Sequence, residues 1–491
     1  MPTKITFLGA GSTVFAKNVL GDALLQPSLH DAKIALYDVD ATRLDDSKRM
    51  IEAINRNENR ARATITAHLG VGARVEALRD AKYVVNAIQV GGYEPCTVTD
   101  FEVPKRYGLR QTIGDTIGIG GLFRTLRTLP VLLDVARDME RVCSDAWLLN
   151  YTNPMCAVTA GLLMGSNVRT VGLCHSVQVC VPMLLAMLGL DERYPVEDVD
   201  WSIAGINHQA WLLRASYDGR DLYPEIKSVA GRLVDRVCAR GGGAWARSVL
   251  EKCQMPSDEP CYAHPFWAQR GARKGWISED EARDVAIACD LVRLELLSRF
   301  GFYLTESSEH TAEYTPWFIK SGRPDLVEKY NIPLDEYPSR CRHQIAAWER
   351  QRSELAEDPN LRHAPSNEFG AYIMHAMETN QPYEAAGNVM NEGWIKNLPS
   401  RACVEVPCRI DANGIHPTVV GALPEPCAAL NRTNIGTQIL AVDAVLHRSR
   451  DHVYQAALLD PHTAAELSVD ETVALCDDLI EAHGDWLPEL R

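Results

Sequence analysis

At 491 residues the chain exceeds what one hydrophobic core ordinarily supports, so two closely joined domains are expected. Apolar residues make up 46% and charged residues 23%, which excludes a fibrous or disordered protein. Fifty Lys and Arg against 65 Asp and Glu leave a formal charge of −15, which repels phosphate backbones and anionic lipid and argues against nucleic acid or membrane partners.

Residues 1–197 alternate short β-branched runs with amphipathic stretches, the pattern of a Rossmann-like, doubly wound α/β domain around a parallel sheet. The opening apolar run, Ile5–Leu8, lacks the basic flank and length of a secretory signal, and no stretch is long enough to span a bilayer, so a cytoplasmic protein is expected. Strands are predicted at Lys4–Leu8, Lys33–Tyr37, Tyr83–Ile88, Ala146–Asn150 and Thr170–Leu173. Helices are predicted at Phe15–Leu25 and Leu122–Val142, with Pro130 expected to kink or restart the second. Residues 198–491 read as a mixed α+β domain, with strands at Asp200–Ala204 and Ala210–Tyr217 and helical runs at Asp280–Arg299 and Ser339–Glu357. An irregular passage is expected over Gly387–Pro424. No linker separates the halves, so a cleft between them is the expected site. The 14 cysteines are scattered and read as reduced thiols, without the spacing of a zinc finger or ribbon.

The first strand leads into Gly9-Ala10-Gly11-Ser12-Thr13, where glycines permit a tight turn and close approach of a pyrophosphate to a helix N-terminus. Val14 replaces the third glycine, which should hold the first helix away from the strand. Asp38 ends the second strand, where a carboxylate accepts from ribose hydroxyls and repels a 2′-phosphate; the pattern therefore favours NAD over NADP. Gln89 and Gly91 follow a later strand at the same carboxyl edge.

Asn153 follows the next strand and can offer its amide to substrate hydroxyls. Cys174 and His175 follow the one after, and His208 lies between two strands of the second half. A thiol and an imidazole from different halves could clamp a metal and leave positions open for substrate oxygens, or each could be an ordinary core or surface group. Asp115 sits in a glycine-rich loop, Gly114–Gly121, where it can orient a base. The segment Tyr303–Tyr314 is dense in proton-transfer groups.

Together these segments resemble glycoside hydrolase family four nearly end to end. Cys174-His175-Ser176-Val177-Gln178, Gly91-Gly92-Tyr93-Glu94-Pro95-Cys96, Thr305–Trp317 and Asp460-Pro461-His462-Thr463 are most similar to its bacterial α-galactosidase (melibiase) branch. The resemblance implies hydrolysis of α-galactosides with NAD and Mn2+, metal ligation by Cys174 and His208, sugar binding by Asn153, and tuning of the base by Asp115. It implies oxidation at sugar C3, proton removal at C2, elimination of the C1 oxygen, addition of water and return of the hydride. His175 and Cys96 stand where phospho-sugar members carry other residues, so a phosphorylated substrate is disfavoured. That departure leaves His175, or water, as the acid, and Tyr303 or Glu306 as candidate bases. A homodimer or homotetramer is implied as well. The alternatives are an α-glucosidase or α-uronidase of the same family, or an NAD-dependent 2-hydroxy acid dehydrogenase, for which Arg124 and Arg127 would bind the carboxylate.

Overall fold

In the computed structural model, which describes residues 2–491, all strands join one 13-stranded sheet. They are β1 Lys4–Leu8, β2 Lys33–Asp38, β3 Thr64–Leu69, β4 Tyr83–Asn86, β5 Trp147–Asn150, β6 Arg169–Gly172, β7 Val199–Ile206, β8 Gln209–Tyr217, β9 Arg220–Asp221, β10 Tyr303–Leu304, β11 Tyr383–Met390, β12 Cys403–Asp411 and β13 Gly414–Pro417. One half of the sheet runs parallel in the order β3-β2-β1-β4-β5-β6. Strands β1 and β4 are buried almost throughout, as expected of parallel strands covered by helices on both faces. The strand order reverses between β1 and β4, and in such sheets the crevice beyond the strand ends at that point receives the ligand. β3 was not predicted from the sequence; it is an edge strand with four of its six residues exposed and none buried, and Thr64, Thr66 and His68 break up any apolar run.

The passage expected to be irregular, Gly387–Pro424, holds most of a long hairpin instead. β11 and β12 pair antiparallel over eight positions, β11 meets β6 at Asn388↔Gly172, and β12 meets β7 at Glu405↔Gly205. This hairpin welds the two halves into one sheet. Its polar residues belong to the seam: Asn388 Nδ2 donates to Gly172 O (3.3 Å) and Glu405 Oε1 (3.0 Å), and Asn207 Nδ2 also donates to Glu405 Oε1 (3.3 Å). Burial pushes the Glu405 carboxyl up to about 7.

Two apolar clusters flank the sheet, and neither respects position 198. The helix Ser176–Leu188 packs into the second cluster, while Glu425–His447 returns to the first. Other expectations also shift. The helix Gly118–Val142 runs through Pro130 without ending, and the run Asp280–Arg299 is broken at Asp290 into Glu279–Cys289 and Leu291–Phe300. Val14 is 40% exposed, so its side chain does not wedge the first helix from the strand. No helix among the described residues is long and apolar enough to cross a membrane.

Candidate active site

A cavity of about 400 Å3 opens at the carboxyl ends of β1, β4, β5 and β6 and is closed by residues from the second half of the chain. At one end lies the glycine turn. Gly9 adopts the left-handed region (φ 84°), and a Cβ there would stand 2.6 Å from Ala87 O, so only glycine lets β1 and β4 part into this crevice. Gly11 N donates to Asp38 Oδ2 at 2.6 Å, while Asp38 Oδ1 accepts from Val39 N and Asp40 N. Asp38 thus braces the turn from the end of β2. Thr13, buried with φ 48°, precedes the helix Val14–Leu25. Ser12 and Gln89 line the cavity. Gly91 does not: a Cβ on it would fall 2.2 Å from Cys96 Sγ, so its lack of a side chain serves the packing of the following turn.

At the other end, Cys174 and His208 meet. Cys174, two residues beyond β6, lies with Sγ 3.6 Å from His208 Nε2. His208 reaches it from the two-residue turn between β7 and β8, with φ 64°. Glu306 completes the group: its Oε2 is 3.5 Å from His208 Nε2, and the thiol, imidazole and carboxylate donor atoms lie within 4.8 Å of one another. Asp115, His208 and His310 form a second such group that shares the imidazole. Burial alone would raise the Glu306 carboxyl, but His310 and His208 outweigh it and hold it down to about 2. Burial also opposes ionisation of Asp115, where Arg124, His310 and His208 prevail and lower it.

Asn153 Nδ2 donates to Asp115 Oδ2 (3.3 Å), and Thr116 Oγ1 to Asp115 Oδ1 (2.6 Å). Asn153 Oδ1 and Ser12 Oγ, both on the cavity wall, are buried without a protein partner, which leaves two polar groups free for a ligand. The Asp115 loop is fixed by Glu313, whose carboxylate accepts backbone N–H from Thr112, Ile113 and Gly114. His175 stands at the mouth, its side chain 56% exposed and Nδ1 3.8 Å from Glu368.

Tyr303 is not part of this arrangement. It is 1% exposed in the second apolar cluster, and its hydroxyl donates to Asp290 Oδ2 at 2.6 Å, so the candidate base of that name has no access to the cavity. Arg127 is also spent elsewhere: it forms a fully buried two-pronged pair with Asp100, leaving Arg124 alone of the two expected arginines on the wall. That removes the arginine pair on which the dehydrogenase alternative leaned. Sequence reasoning missed Tyr337 and Arg340 and named His310 only within the Tyr303–Tyr314 segment without singling it out; all three also line the cavity. His310 carried a signal, lying four residues after Glu306. Tyr337 and Arg340 share the largely polar helix Glu336–Ala356, whose pattern does not mark an inward face.

Comparisons with known proteins agree with this architecture. The sequence model of family 4 glycosyl hydrolases matches residues 4–190, and that of the family 4 glycosyl hydrolase C-terminal domain matches residues 203–463. The chain is 49% identical to an α-galactosidase of Bacillus subtilis (strain 168), over 99% of this chain and 100% of that one. It is 30% identical to an α-galactosidase of Rhizobium meliloti (strain 1021), over 99% of this chain and 89% of that one. Among solved structures, the putative glucosidase lplD of Bacillus subtilis superposes with a TM-score of 0.77 at 26% identity, covering 97% of this chain and 99% of that one. A 6-phospho-α-glucosidase from gut microorganisms, solved in complex with NAD and Mn2+, shares the fold with a TM-score of 0.73 at 20% identity, over the full length of both chains. Matched in both halves and alike from end to end, the chain belongs to family 4 of the glycosyl hydrolases.

Proposed function

We propose that the chain hydrolyses α-galactosides, with NAD along the Gly9–Thr13 turn and Mn2+ between Cys174 and His208. The observation that carries this reading is the meeting of Cys174, His208 and Glu306 on the wall of a cavity that Ser12, from the glycine turn, also lines. The likeness to two α-galactosidases supports a galactoside among the family's sugars. The residues fit both groups: glycines where a Cβ would collide, a carboxylate at the end of β2, and a thiol, imidazole and carboxylate in mutual reach. When bound, NAD supplies a reversible two-electron oxidant and the cation a Lewis acid, which together acidify a sugar C–H bond.

The chain's own groups do the rest. Asn153 Oδ1 accepts from a sugar hydroxyl while its amide nitrogen stays on Asp115. Glu306 is ionised at neutral pH and serves either as a third ligand or as the base at C2. If the cation engages Glu306, His310 remains as proton acceptor, with Nδ1 2.7 Å from Ser307 Oγ and Asp115 close by. His175, at the open mouth, is placed to give a proton to the leaving oxygen.

The test is a turnover assay with an aryl α-galactoside, substoichiometric NAD, Mn2+ and reductant, following aglycone and NADH absorbance together. Many aglycones per NAD without accumulating NADH are expected. One NADH per substrate would establish a dehydrogenase, and cleavage of the α-glucoside or α-uronide in preference would reassign the sugar.

A further inference from the structure

We propose that Cys261, His264 and Cys289 form a second metal site, selective for zinc, which stands whether or not the reading of the cavity does. Cys261 begins a short turn, Cys261–Ala263, that runs directly into the helix His264–Arg273, so residues three apart fall on one face. That face meets Cys289, the last residue of the helix Glu279–Cys289. The three donor atoms lie within 4.8 Å of one another, with Cys289 Sγ 3.8 Å from His264 Nδ1. Zinc at about 2.3 Å from sulfur and about 2.1 Å from nitrogen needs tetrahedral edges of roughly 3.6 to 3.8 Å, so little movement closes the site.

The surroundings favour a cation there. Cys261 and His264 are buried and Cys289 half-buried, and Asn331 Nδ2 points at Cys289 Sγ from 3.9 Å, the outer-shell support that thiolate ligands commonly receive. Binding Zn2+ releases the thiol protons to solvent and leaves two thiolates, a neutral imidazole and the cation with no net charge, the fourth position going to water. Two soft sulfurs distinguish this set from the single thiol, imidazole and carboxylate of the cavity and select zinc over manganese.

None of the three residues lines the cavity, yet the site reaches it through one contact. Tyr262, between Cys261 and His264, carries the Arg340 guanidinium over its ring at 4.5 Å, and Arg340 lines the cavity. Arg340 is also paired with Glu336 and lies 3.6 Å from Glu309. Metal at Cys261, His264 and Cys289 therefore fixes the platform on which a cavity arginine rests.

Cobalt(II) is the probe, added to reduced, chelator-stripped full-length Cys174→Ser protein, in which the cavity thiol is gone. A stoichiometric thiolate-to-cobalt charge-transfer band with tetrahedral visible bands is expected, bleached by added Zn2+ and lost in Cys174→Ser/Cys289→Ser and Cys174→Ser/His264→Gln. Cys174→Ser protein purified without chelator should carry zinc by elemental analysis, which keeps the test open should a double variant fail to fold. Absence of the charge-transfer band in folded Cys174→Ser protein would overturn the proposal. So would a Cys261–Cys289 disulfide found by peptide mapping of freshly purified protein.

Discussion

Cys174 and His208 are 34 positions apart in the chain and 3.6 Å apart in space, and the chemistry proposed for the cavity rests on that contact. Cys174→Ser should lower turnover by more than about 100-fold, because a hydroxyl is a far poorer ligand than a thiolate, while NAD affinity measured by fluorescence titration stays within a few-fold. Unchanged turnover would remove Cys174 from the site. Metal affinity should also depend on pH in a set direction. Burial alone would lower the His208 pKa, but Glu306, Cys174 and Asp115 push it up to about 10, so the ring is protonated at neutral pH before a cation arrives. The cation must displace that proton, so apparent affinity should rise by up to about tenfold per pH unit from about pH 6 to about pH 9. Calorimetry in buffers of different ionisation enthalpy reads the released proton; an affinity flat over that range would contradict the assignment. The residue scale was only partly legible in the sequence. Cys174, His208 and Asn153 announce themselves because each stands at a strand end. Tyr303 misleads because it opens a segment dense in proton-transfer groups, and only the pairing of β10 with β8 shows that its side chain turns into the second apolar cluster.

At the scale of elements, the glycine turn is the most demanding piece of backbone. Gly9→Ala places a Cβ against Ala87 O and asks alanine to hold φ 84°, so it should weaken NAD binding by at least about tenfold through a shifted turn. Unaltered NAD affinity would show that the cofactor lies elsewhere. The parallel strands were readable because β1, β4 and β5 are short apolar runs beside turn residues. The hairpin of β11 and β12 was not, since Gly387, Asn388, Glu405 and Pro407 interrupt the alternation that marks a strand. Those polar side chains are there to satisfy one another at the seam, a long-range requirement that no local pattern displays.

The whole molecule is tied together in a way that the expected boundary at residue 198 conceals. The last long helix, Val469–His483, delivers His483 Nε2 to within 2.9 Å of Asp100 Oδ1, and the same carboxylate holds Arg127, so the chain's end is anchored to its first half inside the core. Asp100→Ala would strand a fully buried guanidinium, and denaturant melts should show a loss of about 3 to 5 kcal/mol. A loss below about 1 kcal/mol would mean that water reaches Arg127. The fold class was legible in the alternation of strands and helices, but the fusion of both halves into one sheet was not, because it depends on pairings more than 200 residues apart, such as Asn388 with Gly172.

The proposed function makes one chemical claim above the others, that a sugar is cleaved by elimination after proton removal at C2. Hydrolysis of an aryl α-galactoside in D2O, with NAD and Mn2+ present, tests it most directly through the nuclear magnetic resonance spectrum of the released galactose. Deuterium at C2, lost together with turnover in Cys174→Ser, is the expected result. Galactose released at full rate with its C2 hydrogen intact would contradict the account.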